Sequence, residues 1–198
     1  VKQYYEELWK GLPAELEPPE LDRRRAYLLA EVSEGDRALD LGCGEGDFTA
    51  TLARAGADAL GVDVAEAALA RARTRHPDLE FRLVPVEGPL PIDDDSIDLV
   101  WASEVIEHIA DTARWLSEVR RVLRPGGRVL LTTPNHGRLR VALLGMERFS
   151  DPLGDHLHLY TTRSLEGLLH EFSFGDVIVD RAAGPPLFKR MLLARAIK

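Results

Sequence analysis

The run ALDLGCGEGDFTATLA, residues 38–53, constrains what this chain can fold into more than any other segment. An apolar stretch ends at Asp40 and Leu41, glycines follow at Gly42, Gly44 and Gly46, and an amphipathic stretch begins. Glycine lets the backbone turn sharply and approach a ligand with no Cβ in the way, and the amides of a helix N-terminus point at that ligand. A strand, glycine loop and helix in this order put a ligand at the carboxyl end of a parallel strand. A dinucleotide fingerprint asks for GxGxxG, and its third glycine position falls on Asp47, so nicotinamide binding is the weaker reading. Seventeen residues after Gly46 a second apolar run ends in GVD. Asp63 then sits where a carboxylate accepts hydrogen bonds from both hydroxyls of a ribose, and the expected ligand is a nucleoside.

Short apolar runs alternate with amphipathic stretches from Ala38 onward, the pattern of parallel strands joined by crossover helices. Strands are predicted at Arg37–Leu41, Asp58–Asp63, Leu79–Val84, Ile97–Ala102 and Gly127–Thr133. Trp115, Leu116, Val119, Val122 and Leu123 recur at helical spacing before Pro125 and Gly126, which are read as the helix stop. A further helix is predicted over Arg163–Phe172, then two strands, GDVIVDRA and KRMLLARA, around the turn at Gly184, Pro185 and Pro186. Residues 1–30 differ in texture, with a short helix carrying Tyr4, Tyr5, Leu8 and Trp9 ahead of a proline-rich link through Pro13, Pro18 and Pro19. They are read as a helical appendage or lid, and residues 31–198 as one domain.

With 198 residues, a net charge of -8 and a pI near 5.3, the chain lacks the excess of Lys and Arg that tracking nucleic-acid phosphates requires. Nucleic acid is therefore disfavoured as a partner. Cys43 is the single cysteine, and it is read as a small packed residue in a reducing compartment. No run approaches the roughly 18 apolar residues of a membrane span, and VKQYYEELWKGLP lacks the apolar core of a secretory signal. The expected location is the cytoplasm.

Four segments, ALDLGCGEG, GVDVAEAALARAR, LPIDDDSIDLVWASEVIEHI and LSEVRRVLRPGGRVLLTTPN, follow in the order found in class I S-adenosylmethionine-dependent methyltransferases, which this chain resembles. The resemblance implies an α/β, Rossmann-like three-layer sandwich with a mostly parallel seven-stranded sheet and a C-terminal antiparallel strand. It implies that Asp40 and the loop Gly42, Cys43, Gly44 and Gly46 hold the methionine portion of S-adenosyl-L-methionine. Asp63 would hold the ribose, Val64 would pack on adenine, and Ala102 would offer its carbonyl to the methionine amino group. Relatives often carry an Asp where this chain has Val86 followed by Glu87, so recognition of the adenine amino group falls to Glu87 or to main-chain groups there.

SEVIEHI follows the fourth strand, and Glu104, Glu107 and His108 have the i, i+3, i+4 spacing that shares one face of a helical turn. Two carboxylates and an imidazole suit a divalent cation, and DHLHLYT supplies His156 and His158. The ExxEH element is similar to that of ubiquinone-pathway O-methyltransferases and of small-RNA 2′-O-methyltransferases. That resemblance implies His156 as a fourth ligand, with His158 in reserve, and Mg²⁺ or another divalent cation that lowers the pKa of the acceptor hydroxyl. Without a cation, His108 or His156 is the candidate general base.

The expected activity is methylation of a hydroxyl oxygen on a small-molecule acceptor, with Tyr4, Tyr5 and Trp9 as lid residues. The alternatives are an RNA ribose 2′-O-methyltransferase and a non-catalytic nucleoside-binding subunit. GRLRVALLGMER, from Gly137 to Arg148, reads most simply as a short buried helix, and otherwise as a flap for a lipophilic acceptor or an anionic membrane surface.

Overall fold

The first strand of the sheet, β1 (Arg37–Leu41), is buried along all but its first residue, as befits a strand covered on both faces. In the computed structural model, residues 2–13, 19–86, 88–137, 141–142, 145, 156–185 and 188–198 are described. β2 (Asp58–Asp63), β3 (Glu80–Leu83), β4 (Ile97–Ser103), β5 (Leu123–Pro134), β6 (Gly175–Ala182) and β7 (Met191–Ile197) complete one sheet in the order β3-β2-β1-β4-β5-β7-β6. β1 to β5 are parallel, and β7 runs antiparallel between β5 and β6. This is the expected mostly parallel, seven-stranded arrangement.

Strand alternation sorts the core into two layers. Leu39, Leu41, Val100 and Leu131 join Leu116 and Val119 of α5 (Thr112–Val122) and Leu165 and Leu169 of α6 (Thr162–Glu171). Their neighbours Ala38, Leu99, Trp101 and Leu130 pack with Phe48 and Leu52 of α3 (Asp47–Arg54) and Leu28 of α2 (Leu21–Leu29). α4 (Glu66–Arg75) places Leu69 and Ala72 on Phe81 and Cys43. Helices therefore lie on both faces, and the order reverses between β1 and β4, the place where an open α/β sheet leaves a crevice at its carboxyl edge.

One boundary differs from expectation. α5 ends at Val122 and the chain passes straight into β5, so Pro125 and Gly126 lie inside the strand. Gly126, at φ +79°, donates its N–H to the carbonyl of Lys198, and β5 shifts register against β4 between Ile97 and Leu99. The backbone bond to the last residue satisfies this stretch where a helix C-cap was anticipated.

Residues 1–30 divide into two parts. α1 (Lys2–Gly11) lies against α4, where the Glu6 carboxylate accepts from the amides of Glu66 (2.7 Å) and Ala67 (3.1 Å). It thereby supplies the cap that Ala65, the residue at the start of α4, has no side chain to provide. α2 belongs to the core: Leu28 is 0% exposed, and Arg128 of β5 binds both the carbonyl of Glu31 and the Asp36 carboxylate just beyond it. Among the described residues no helix is long and apolar enough to cross a membrane.

Leu28→Ala should cost about 2–4 kcal/mol of unfolding free energy through the cavity it leaves, whereas Tyr4→Ala, at a side chain 48% exposed on α1, should cost under about 0.5 kcal/mol. Urea unfolding of both variants checks this, and equal losses would contradict the assignment of α2 to the core.

Candidate active site

The three loop glycines all have positive φ: +80° at Gly42, +53° at Gly44 and +83° at Gly46. None of them has room for a side chain, and a Cβ at Gly46 would lie 2.7 Å from the Phe81 ring. A Cβ at Gly42 would lie 2.5 Å from Cγ2 of Val105, and one at Gly44 would lie 3.0 Å from the Trp9 ring. The amides of Gly42 and Cys43 both donate to the carbonyl of Val62, which ties the loop to the end of β2.

Asp63 joins the same two elements from the other side. Its Oδ2 accepts from the amide of Gly44 at 3.0 Å and its Oδ1 from that of Ala65 at 2.9 Å. Burial raises its pKa and those amides partly oppose the rise. Asp40 stands behind the loop, where Oδ2 accepts from the Thr49 hydroxyl at 2.6 Å. Burial pushes its pKa up to about 7 despite that bond. The Cys43 thiol is likewise driven up by burial, as suits a packed side chain.

A cavity of about 320 Å³ opens beside these groups. Gly42, Asp63, Val64, Val86, Glu104 and His108 are among the residues that line it. Tyr5, Leu8, Trp9 and Leu12, from α1 and the residue after it, also form part of the wall. Asp40, Cys43, Gly44 and Gly46 stand behind that lining, and so does Ala102, buried in β4 opposite Leu131. Glu87 lies outside the described residues, as do Asp155 and most of the segment from Arg138 to Arg148.

The ExxEH element does not form one helical face. Glu104 adopts φ +56°, and only Ile106–His108 form a turn, of the tighter 3-10 kind. Glu104 is thereby directed elsewhere: its Oε1 accepts from the Thr132 hydroxyl at 3.0 Å and its Oε2 lies 3.4 Å from Nη2 of Arg24. Arg24 is a site residue the sequence reading missed. Arg23 and Arg25, its neighbours in LDRRRAYLL, pair with acids one turn away on α2 or at its start, and nothing in the spacing marks the middle arginine as the buried one.

Glu107, His108 and His156 do converge, with one ligand atom from each lying within 4.8 Å of the others. The two imidazole rings are 4.7 Å apart, edge to face. Leu157 and His158 fix the approach of this segment by donating their amides to the carbonyl of Glu107. The Glu107 side chain is 0% exposed, and its Oε2 accepts from the Thr133 hydroxyl at 3.0 Å. Its Oε1 has no hydrogen bond among the described residues and lies 3.9 Å from Nε2 of His108. Burial, reinforced by repulsion from Glu104, raises the Glu107 pKa to about 8. A buried carboxylate oxygen lacking a donor beside two imidazoles is the donor set of a divalent cation, and the residues present fit one. The Nε2 of His158 is taken up by the carbonyl of Ile109 at 2.9 Å, which leaves His156 as the histidine in the cluster.

The raised pKa of Asp40 has a consequence for stability. A carboxyl that ionises near pH 4 in the unfolded chain and near 7 when folded contributes fully at low pH, and its contribution is lost as pH rises through about 7. Asp40→Asn should therefore flatten the decline of the ligand-free protein's urea midpoint between about pH 4 and pH 7. An unchanged slope would refute this role.

A family profile described as a methyltransferase domain matches residues 39–131, which include the glycine loop, Asp63 and Glu107. A ubiquinone biosynthesis O-methyltransferase of Acinetobacter baumannii is 36% identical over 172 residues, covering 81% of this chain and 72% of that protein. A probable S-adenosylmethionine-dependent methyltransferase of Mycolicibacterium smegmatis is 41% identical over 107 residues, 54% of this chain, and the match spans only 41% of that relative's length. The solved structure of an S-adenosylmethionine dependent methyltransferase from Mesorhizobium loti shares the fold, with a TM-score of 0.71 at 24% identity over 96% of this chain and 100% of that one. The likeness to the Acinetobacter protein runs through most of both chains, and the chain belongs to the S-adenosylmethionine-dependent methyltransferase family.

Proposed function

We propose that this protein methylates a hydroxyl oxygen of a small, largely apolar acceptor, with a divalent cation held by Glu107, His108 and His156. The observation that carries this reading is the convergence of those three side chains, one of which, His108, lines the same cavity as Gly42 and Asp63. The Acinetobacter relative, a ubiquinone biosynthesis O-methyltransferase, agrees with it. S-adenosylmethionine supplies a methyl group on a sulfonium, ready for in-line displacement by an oxygen lone pair.

Asp63 accepts the ribose hydroxyls, its carboxylate already aimed by the amides of Gly44 and Ala65. Val64 and Val86 give the adenine two apolar surfaces. Gly42 admits the methionine portion close to the backbone, Asp40 steadies the loop from behind, and the carbonyl of Ala102 takes the amino group. α1 acts as a lid: Tyr5, Leu8 and Trp9 exclude water, which would otherwise solvate and blunt the acceptor oxygen. A cation at the cluster would lower the pKa of the acceptor hydroxyl. His108, which lines the cavity while His156 does not, receives the proton if no cation is used. The small roofed cavity supports a small molecule over an RNA ribose.

Two measurements test the two halves of this reading. Asp63→Asn keeps an acceptor for one of the two loop amides and should weaken S-adenosylmethionine binding by about 1.5–3 kcal/mol in isothermal titration; parental affinity would sink the ribose assignment. For the cation, Glu107→Gln should raise the Mg²⁺ concentration needed for half-maximal turnover by about ten-fold or more, with cofactor affinity little changed. Full activity of the parent in excess chelator would reject the cation and leave His108 as the base.

A further inference from the structure

We propose that the acceptor carries an anionic oxygen group, a carboxylate or a phosphate, and that Arg114 binds it at the far end of the cavity; this rests on the acceptor hydroxyl lying beside His108 as proposed above. Between His108 and Trp115 the chain contributes six residues to the cavity wall: His108, Ile109, Ala110, Asp111, Arg114 and Trp115. One end of that wall carries the candidate base or cation ligand and the other carries a guanidinium. Ile109, Ala110 and Trp115 give an apolar surface between them.

The charges along the cavity show which side chain lacks its complement. Asp63 is engaged by the amides of Gly44 and Ala65, and Glu104 by Thr132 and Arg24. Asp111 accepts from the backbone amide of Arg114, capping α5. Both oxygens of Glu118 are taken by Arg121, and one of them also accepts from the amide of Leu90. Arg114 is the one Lys or Arg in this lining, and its guanidinium makes no hydrogen bond or ion pair among the described residues. It feels Glu118 only at longer range, as part of what lowers that carboxyl's pKa after Arg121 and the Leu90 amide.

Nor does helix stability account for an arginine there. Arg114 sits in the first turn of α5, where the macrodipole favours an acid and disfavours a cation. Arg114 is itself exposed, so its guanidinium stands at the mouth of the cavity, where a planar fork of donors matches a carboxylate or phosphate. An acceptor that fits this wall is amphipathic: a hydroxyl at His108, an apolar body on Ile109 and Trp115, and an anion at Arg114.

The test is equilibrium binding to the full chain saturated with S-adenosylhomocysteine, using two matched pairs of probes. A dihydroxybenzoate is compared with its neutral amide, and a dihydroxybenzyl phosphate with the corresponding alcohol. The anionic member of at least one pair should bind about five-fold or more tighter, and the pair that shows the preference identifies carboxylate or phosphate. In Arg114→Met the anionic-to-neutral ratio should fall to near one, and Arg114→Lys should keep part of it; melting temperature reports whether each variant is folded. No preference in either pair, or a preference that survives in folded Arg114→Met, overturns the proposal. A loss of S-adenosylhomocysteine affinity in Arg114→Met without a change in the ratio also overturns it, by assigning the guanidinium to the cofactor. Because binding is read without turnover, failure to methylate any hydroxyl would defeat the O-methylation reading while leaving the anion preference in place.

Discussion

The two bonds that Asp63 accepts, from the amides of Gly44 and Ala65, hold the end of β2, the glycine loop and the start of α4 in one fixed relation. Everything at the carboxyl edge is referred to that junction. The loop can bend as it does only because its glycines take positive φ, and it stays put because Val62 and Asp63 give its amides acceptors. A buried carboxylate costs free energy to keep charged, and here the cost is offset by backbone donors, the same kind of donor that prepares a site for an anionic or hydroxyl-bearing ligand.

The same junction receives the N-terminal helix. Glu6 caps α4 three residues beyond Asp63, and Arg71 of α4 links the loop residue Glu45 to the carbonyls of Leu12 and Pro13 at the end of α1. Trp9 then lies over Gly44. The segment that roofs the cavity is thus attached to the elements that form its floor, and few of its own side chains are buried in the core. α2, by contrast, has Leu28 and Arg24 buried and is part of the core itself.

Beyond β4 the chain gives two nearby carboxylates different partners. The positive φ at Glu104 turns its carboxylate to Arg24 and Thr132, while Glu107 goes inward to Thr133 and the two histidines. The two carboxylates still repel each other in this buried setting, but the kink pairs one with a guanidinium and leaves the other beside the imidazoles.

The amino-acid sequence by itself determined the sheet and its ligand edge, because strand and helix periodicities, glycine positions and an Asp at a strand end are local properties that short-range sterics and burial enforce. It also marked Glu107, His108 and His156 as chemistry-bearing residues. Which of the acids would join the histidines was decided only by the tertiary structure. Helical spacing placed Glu104 with Glu107, and the actual backbone, held by Thr132 and the buried Arg24, took it away. Arg24 and Arg114 look like ordinary surface arginines in the sequence, since nothing local distinguishes a guanidinium that meets an acid from one that does not. That distinction depends on what distant segments bring within hydrogen-bonding reach, and only packing determines it.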